Sequence, residues 1–71
     1  MVAFERSKAM RFIIEQQAAD GHWFIRGSER YEYDAIYHAR RYAREDLKPD
    51  GTYWPFRVQD MRTKKIVTIT V

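Results

Sequence analysis

The sequence predicts an α+β domain: a four-stranded antiparallel sheet with one helix packed on one face, in the chain order ββαββ. Three observations predict this fold class. Only the segment 34–47 has the spacing of an amphipathic helix, and a pair of alternating apolar and polar segments lies on each side of it. Each pair is joined by a short turn. A right-handed crossover through the helix places the third strand beside the first, which predicts the spatial order 2-1-3-4.

The chain is expected to form one domain over residues 10–71, preceded by a mobile N-terminal extension over residues 1–9. Clear alternation begins only at Met10, and chain termini are usually the most loosely held part of a domain. A chain of 71 residues buries only about 60% of the surface that its unfolded form exposes, so its stability is expected to be marginal.

The first hairpin is predicted from two alternating segments, 11–19 and 22–30, joined by Asp20 and Gly21. An Asp-Gly pair is typical of a two-residue turn, because that turn requires positive φ. This turn pairs Gln16 with Ile25 and Glu15 with Arg26. The residues then expected to face the core are Phe12, Ile14, Ala18, Trp23 and Ile25. Ile13 and Phe24 are left on the outer face of the sheet.

The helix is predicted over 34–47, with Asp34 as its N-cap. Pro49 and Gly51 end it. Its buried stripe is expected to consist of Ile36, Ala39, Ala43 and Leu47, widened by Ala35. The opposite side carries Tyr37, Arg40, Arg41, Arg44 and Lys48, with Arg41 and Glu45 spaced as an i,i+4 ion pair.

The second hairpin is predicted from strands at 53–60 and 65–71 with a four-residue connection. Its register places Val58 beside Val67 and Phe56 beside Ile69. The last strand is an edge of low charge and high β propensity, which favours a homodimer or an added partner strand. The alternative is a short edge blunted by Lys64 and Lys65.

The composition excludes several kinds of chemistry. There is no cysteine, so disulfides and thiolate metal sites are excluded, and the two histidines stand in no catalytic motif. Acidic residues Glu29, Glu32 and Asp34 precede or begin the helix, where they commonly serve the helix dipole. We expect no enzymatic activity, no metal, no cofactor and no membrane span, and a cytoplasmic location.

The candidate partner-binding surface combines tyrosine and arginine, two residue types enriched at protein-interface hot spots. It consists of Tyr31, Tyr33, Tyr37, Arg40, Arg41, Arg44 and Lys48. A secondary surface is expected on the open sheet face and second hairpin, formed by Ile13, Phe24, Arg62, Lys64 and Lys65.

The same basic residues also fit a nucleic-acid-binding module. The chain has 13 basic and 10 acidic residues, a net charge of +3. Arginines and lysines contact phosphates, and tyrosines stack on unpaired bases. Glu45 and Asp46 interrupt the basic set, and the sequence has no zinc signature, RNA-binding motif or helix-turn-helix.

The strand–turn–strand–helix unit from Arg11 to Leu47 resembles that of small phage-encoded inhibitors of bacterial RNA polymerase and of some anti-CRISPR proteins. HicB-type antitoxins begin with a similar unit. The proline-glycine segment that they carry before the helix is replaced here by Gly27-Ser-Glu-Arg-Tyr-Glu-Tyr33. The resemblance implies a small protein that binds a large nucleic-acid machine, with no site residues carried over from either group.

The expected function is therefore the steric modulation, by inhibition, of a bacterial host protein machine. RNA polymerase is the leading target and a CRISPR effector the next. A nucleic-acid-binding module, a HicB-like antitoxin and a homodimer through the last strand remain as alternatives.

Overall fold

The computed structural model of the protein describes residues 10–71, and the expected mobile extension over residues 1–9 lies outside them. The elements are β1 (Phe12–Gln17), β2 (Trp23–Glu29), α1 (Glu32–Glu45), β3 (Phe56–Asp60) and β4 (Ile66–Thr68). The strands form one antiparallel sheet in the order β2-β1-β3-β4, with α1 across one face. The predicted fold class and strand order are confirmed.

The core lies between α1 and the two central strands. β1 and β3 alternate buried and half-buried residues, and they contribute Phe12, Ile14, Phe56 and Val58 to the buried side. The helix contributes Ala35, Ala39 and Ala43, each with no exposed surface, and Ile69 completes the cluster. Because an alanine side chain is a single methyl group, the helix can lie close against the sheet.

The helix begins and ends two residues earlier than the sequence predicts. Tyr31 is the N-cap, with extended backbone and no side-chain hydrogen bond to the first turn. The prediction of Asp34 as N-cap is wrong, because Asp34 lies inside the first turn beside Glu32, where both carboxylates favour the helix dipole. Leu47 lies beyond the end of α1 and is 44% exposed, so the prediction that it is buried is also wrong.

The register of the second hairpin is confirmed. Val58 pairs with Val67, and the Ile69 amide donates to the Phe56 carbonyl at 3.0 Å. Both strands are shorter than predicted. β3 begins only after Pro55, which has no amide hydrogen to donate to the ladder.

The register of the first hairpin is wrong near its turn. The loop has three residues, 19–21, because the Gly21 amide donates to the Ala18 carbonyl and the Ala18 amide donates to the His22 carbonyl. Gly21 has a φ of +96°, and Asp20 accepts the His22 amide. This arrangement is the type I turn followed by a left-handed glycine, not the two-residue turn.

The shifted turn changes the partners of the strand ends. Gln16 pairs with Phe24 and Glu15 with Ile25, until a bulge between Ile14 and Glu15 restores the predicted pairing of Ile14 with Gly27. Cross-strand partners point to the same face, so Phe24 lies on the helix side. The prediction that Phe24 lies on the outer face is therefore wrong.

The same bulge places Trp23 and Ile25 on the open face of the sheet, away from α1. Ile25 is 65% exposed, which contradicts its prediction as a core residue, and buried Gln16 occupies the helix side instead. The predicted pair of Glu15 with Arg26 is also wrong. Glu15 accepts from Arg57 at 2.7 Å, and Arg26 binds Gln16 and Asp46.

Candidate docking surface

Two tyrosines and three arginines form one stripe along the exposed side of α1. We call this stripe the outer helix face, and it consists of Tyr33, Tyr37, Arg40, Arg41 and Arg44. Each residue of an α-helix turns by about 100°, so positions separated by 4, 7, 8 and 11 residues share one side. Ala35, Ala39 and Ala43 point in the opposite direction, into the core. Folding therefore leaves all five side chains of the outer helix face toward solvent.

The tyrosines occupy the N-terminal half of this surface and its edge. Tyr33 is 72% exposed and Tyr37 is 57% exposed. The ring of Tyr31, at the N-cap, stacks on that of Tyr33 with centroids 5.9 Å apart. The ring of Tyr37 meets His38 edge-on at 5.3 Å. Because these rings already rest against neighbours, a partner would order them at low entropic cost.

The arginines occupy the C-terminal half of the outer helix face. Arg41 Nε donates to Glu45 at 3.2 Å, and this carboxylate raises the pKa of Arg41. The Nε of Arg40 donates to the Thr70 carbonyl at 3.3 Å. Arg44 lies in the last turn, where a cation is favoured by the helix dipole. Each guanidinium has five N–H donors, so Arg40 and Arg41 retain donors for a partner.

Lys48 does not belong to the outer helix face, although the sequence predicts it there. The helix ends at Glu45, and the following chain turns back toward the sheet. The Nζ of Lys48 lies 5.2 Å from the ring centre of Trp54, and Lys48 is half-buried. Its ammonium therefore serves a contact within the fold.

The residues of the predicted secondary surface are only partly brought together. Arg62, Lys64 and Lys65 lie in the exposed turn between β3 and β4. Ile13 lies on the open sheet face, level with Gln59 and Ile66, and is therefore near this turn. Phe24 is separated from them, because the shifted register places it on the helix side near the other end of the sheet.

That basic turn is also separate from the arginines of the helix. The register places it at the end of the sheet where β2 ends and α1 begins. Arg40 and Arg44 follow the first helical residue by 8 and 12 positions, which is about 12 and 18 Å along the axis. The two basic sets therefore lie at different ends of the domain, with the tyrosines between them.

Four arginines of residues 10–71 are engaged by carboxylates within the fold. The pairs are Arg11 with Asp60, Arg26 with Asp46, Arg41 with Glu45 and Arg57 with Glu15. Any anionic partner, including a phosphate backbone, would have to compete with these carboxylates.

The pair of Arg11 and Asp60 fixes the turn between β3 and β4. Arg11 binds both carboxylate oxygens of Asp60, at 2.8 and 2.7 Å, and Asp60 also accepts the amide of Arg62 at 2.9 Å. These donors, Arg11 first, lower the pKa of Asp60. The contribution of this pair is structural, because Asp60 has only 10% of its side chain exposed.

The open face of the sheet holds a cluster that the sequence did not predict. Arg57 lies between Glu15 and Trp23, with its Cζ 4.1 Å from the Trp23 ring centre. Ile25 and Ile66 are exposed on the two edge strands. The three-residue loop Ala19-Asp20-Gly21 is the sequence signal for this placement, since it shifts β2 by one position.

The predicted acidic cluster is dispersed. Glu29 contacts Nδ1 of His38 at 2.8 Å, while Glu32 and Asp34 lie in the first turn of α1. Among residues 10–71, no three histidine, cysteine or acidic side chains converge in a way that would hold a metal ion. In the same residues, no helix has the length and apolar character needed to cross a membrane.

Comparisons with family models, with curated proteins and with solved structures gave no match to this chain.

Proposed function

We propose that the chain is a non-enzymatic cytoplasmic protein that binds an acidic surface of a larger protein through the outer helix face. The observation that carries the proposal is the pairing of exposed tyrosines and arginines on the one helix side that the core does not use. Such side chains combine wide contact area with polar ends, as do the anchors of protein interfaces.

The charge of this surface defines its partner. Arg40 and Arg44 form no ion pair within residues 10–71. Arg41 forms an exposed ion pair with Glu45, and a carboxylate of the partner could readily replace Glu45 in it. Exposed pairs of this kind contribute little to stability. A partner that offers carboxylates beside the arginines, and apolar or aromatic side chains beside the tyrosines, is complementary in charge and in shape.

The proposed mode of action is occupation of that surface, which blocks a second factor or a nucleic acid from reaching it. The target that we propose to test first is bacterial RNA polymerase, followed by a CRISPR effector. Both follow from the resemblance of the segment 11–47 to small inhibitors of such machines. Specificity would come from the spacing between the tyrosine half and the arginine half of α1.

The test is capture of partners from a nuclease-treated bacterial lysate, with three versions of the tagged protein. The first is the wild type. The second carries Arg41→Glu with Arg44→Glu on the outer helix face. The third is a control that carries Arg62→Glu with Lys65→Glu in the turn between β3 and β4, with the same change in net charge. Circular dichroism establishes that each variant is folded.

The proposal predicts that the wild type and the turn variant capture the same protein complex, and that the helix variant loses it. Retention by the folded helix variant contradicts the proposal. Loss by both variants also contradicts it, because binding would then depend on net charge alone. If only nucleic acid is captured, and only without nuclease, the basic residues serve nucleic-acid binding.

A further inference from the structure

The open face of the sheet presents apolar side chains over both edge strands. Ile25 in β2 is 65% exposed, and Ile66 in β4 is 48% exposed. Half-buried Ile13, in the central strand β1, and Trp23, in β2, lie on the same face. The helix covers only the other side of the sheet. Exposed apolar side chains spread across one flat face indicate a binding surface.

The charges at the centre of this face cancel. Arg57 Nε donates to Glu15 Oε1 at 2.7 Å, and these side chains are only 24% and 15% exposed. The ring of Trp23 covers the guanidinium. The pair is thus already largely withdrawn from water, so covering the face adds little further desolvation.

We propose that this face binds a second copy of the chain, forming a symmetric dimer in which two sheets pack face to face. A two-fold axis parallel to the strands, passing between β1 and β3, lays β1 of each copy over β3 of the other. Glu15 and Arg57 are cross-strand partners at one level of the sheet. Each Glu15 therefore faces Arg57 of the other copy, and the two charge pairs are complementary.

The same symmetry also places the edge strands of the two sheets over each other. It lays β2 of each copy over β4 of the other, so that Ile25, which is level with Arg57, faces Thr68 of the second copy, and Ile66 lies two residues further along β4. Two sheets packed in this way keep their strands within about 30° and their planes about 10 Å apart. The charges at the centre of this face sum to zero, so a strongly charged partner is not attracted to it. A second copy is complementary to the face in charge and presents the same apolar side chains.

The size of the face sets the strength of the dimer. The strands lie about 4.8 Å apart and are three to seven residues long, so the face covers about 19 by 17 Å. Two such faces bury on the order of 650 Å² in total, which is the size of a weak, transient contact. The dimer is accordingly weak and dissociates on dilution. The interface is separate from the outer helix face, so it can form whether or not that face binds a partner.

The experiment is sedimentation equilibrium of the full chain over about 5 to 500 μM, a range that brackets a weak dimer. Ile25→Glu places an unpaired carboxylate in the interface twice per dimer and should weaken association by about a hundredfold. Leu47→Glu is the control, since Leu47 is an exposed apolar residue outside this face. Ile66→Glu is the second interface variant, in case Ile25→Glu does not fold.

A wild-type dimer that is lost in every interface variant that folds, and retained in the control, supports the proposal. A wild type that stays monomeric at 500 μM overturns it, and so does a dimer that persists in a folded Ile25→Glu variant. The latter result would place the contact outside this face. The absence of cysteine permits a further test, because Ile25→Cys with Thr68→Cys should form disulfides between copies.

Discussion

The most informative stability prediction compares Ile14 and Ile25, which the sequence places together in the core and the structure separates. Ile14 has no exposed surface, whereas Ile25 is 65% exposed on the other side of the sheet. Replacing each with threonine keeps a β-branched side chain suited to a strand. The comparison therefore reports the burial of the position, with little contribution from β propensity.

The two substitutions are expected to differ several-fold in effect. Ile14→Thr removes apolar contacts and buries a hydroxyl, which together cost about 2–4 kcal/mol. At Ile25 only about one third of the side chain is buried, so Ile25→Thr should cost about 0.5 kcal/mol. A chain of this length has a total stability of about 4–11 kcal/mol, so the first change removes a large part of it.

Urea unfolding followed by circular dichroism measures both changes. The protein should be kept near 1 μM, where the proposed weak dimer is dissociated. We expect the urea midpoint to fall sharply for Ile14→Thr and to stay within experimental error of wild type for Ile25→Thr. Similar large losses in both variants would refute the bulged register and restore the two-residue turn.

Four further predictions concern the turns and the buried side of α1. The pKa of Asp60 in the folded protein lies below its ordinary value of 3.8, so the stability that its pairing with Arg11 provides is present above pH 3.8 and is lost as the pH falls below that value. Asp60→Asn should therefore reduce the loss of stability that the wild type shows in acid. Lys64 has a φ of +68°, so Lys64→Gly should stabilise the protein by about 0.5–1 kcal/mol in urea unfolding. Gly51→Ala, at a φ of +87° with open space around it, should destabilise it by about 1–2 kcal/mol. Ala39→Leu should cost about 1–3 kcal/mol in the same assay, because the helix lies against the sheet at a fully buried methyl group.

The fold was predictable because the helical spacing, the alternation of the strands and the turn residues all indicated the same order of elements. The helix was recognisable by its alanine spacing, and the second hairpin by two alternating strands with one workable register. The first hairpin failed for a local reason. Asp20 and Gly21 fit two different turns, and the choice between them depends on whether Ala19 joins the loop. A shift of one residue moved Ile25 from the predicted core to the open face.

The outer helix face was largely predictable, since helical periodicity determines which residues share a side. Lys48 was misplaced because the helix ends two residues early, at Glu45, where the chain turns toward Trp54. The ion pair of Arg57 with Glu15 was not predictable from spacing. The two residues are 42 positions apart in sequence, and their contact depends on β3 lying beside β1.

Photo-crosslinking from the middle of the outer helix face tests directly whether this face binds a partner protein. A photoreactive phenylalanine analogue replaces Tyr37, which is exposed and central, and in a second version replaces Lys65 in the turn between β3 and β4. Irradiation in a nuclease-treated bacterial lysate is followed by mass spectrometry of the adducts. We expect one protein adduct from position 37 and none from position 65. A protein adduct from position 65 alone would contradict this expectation.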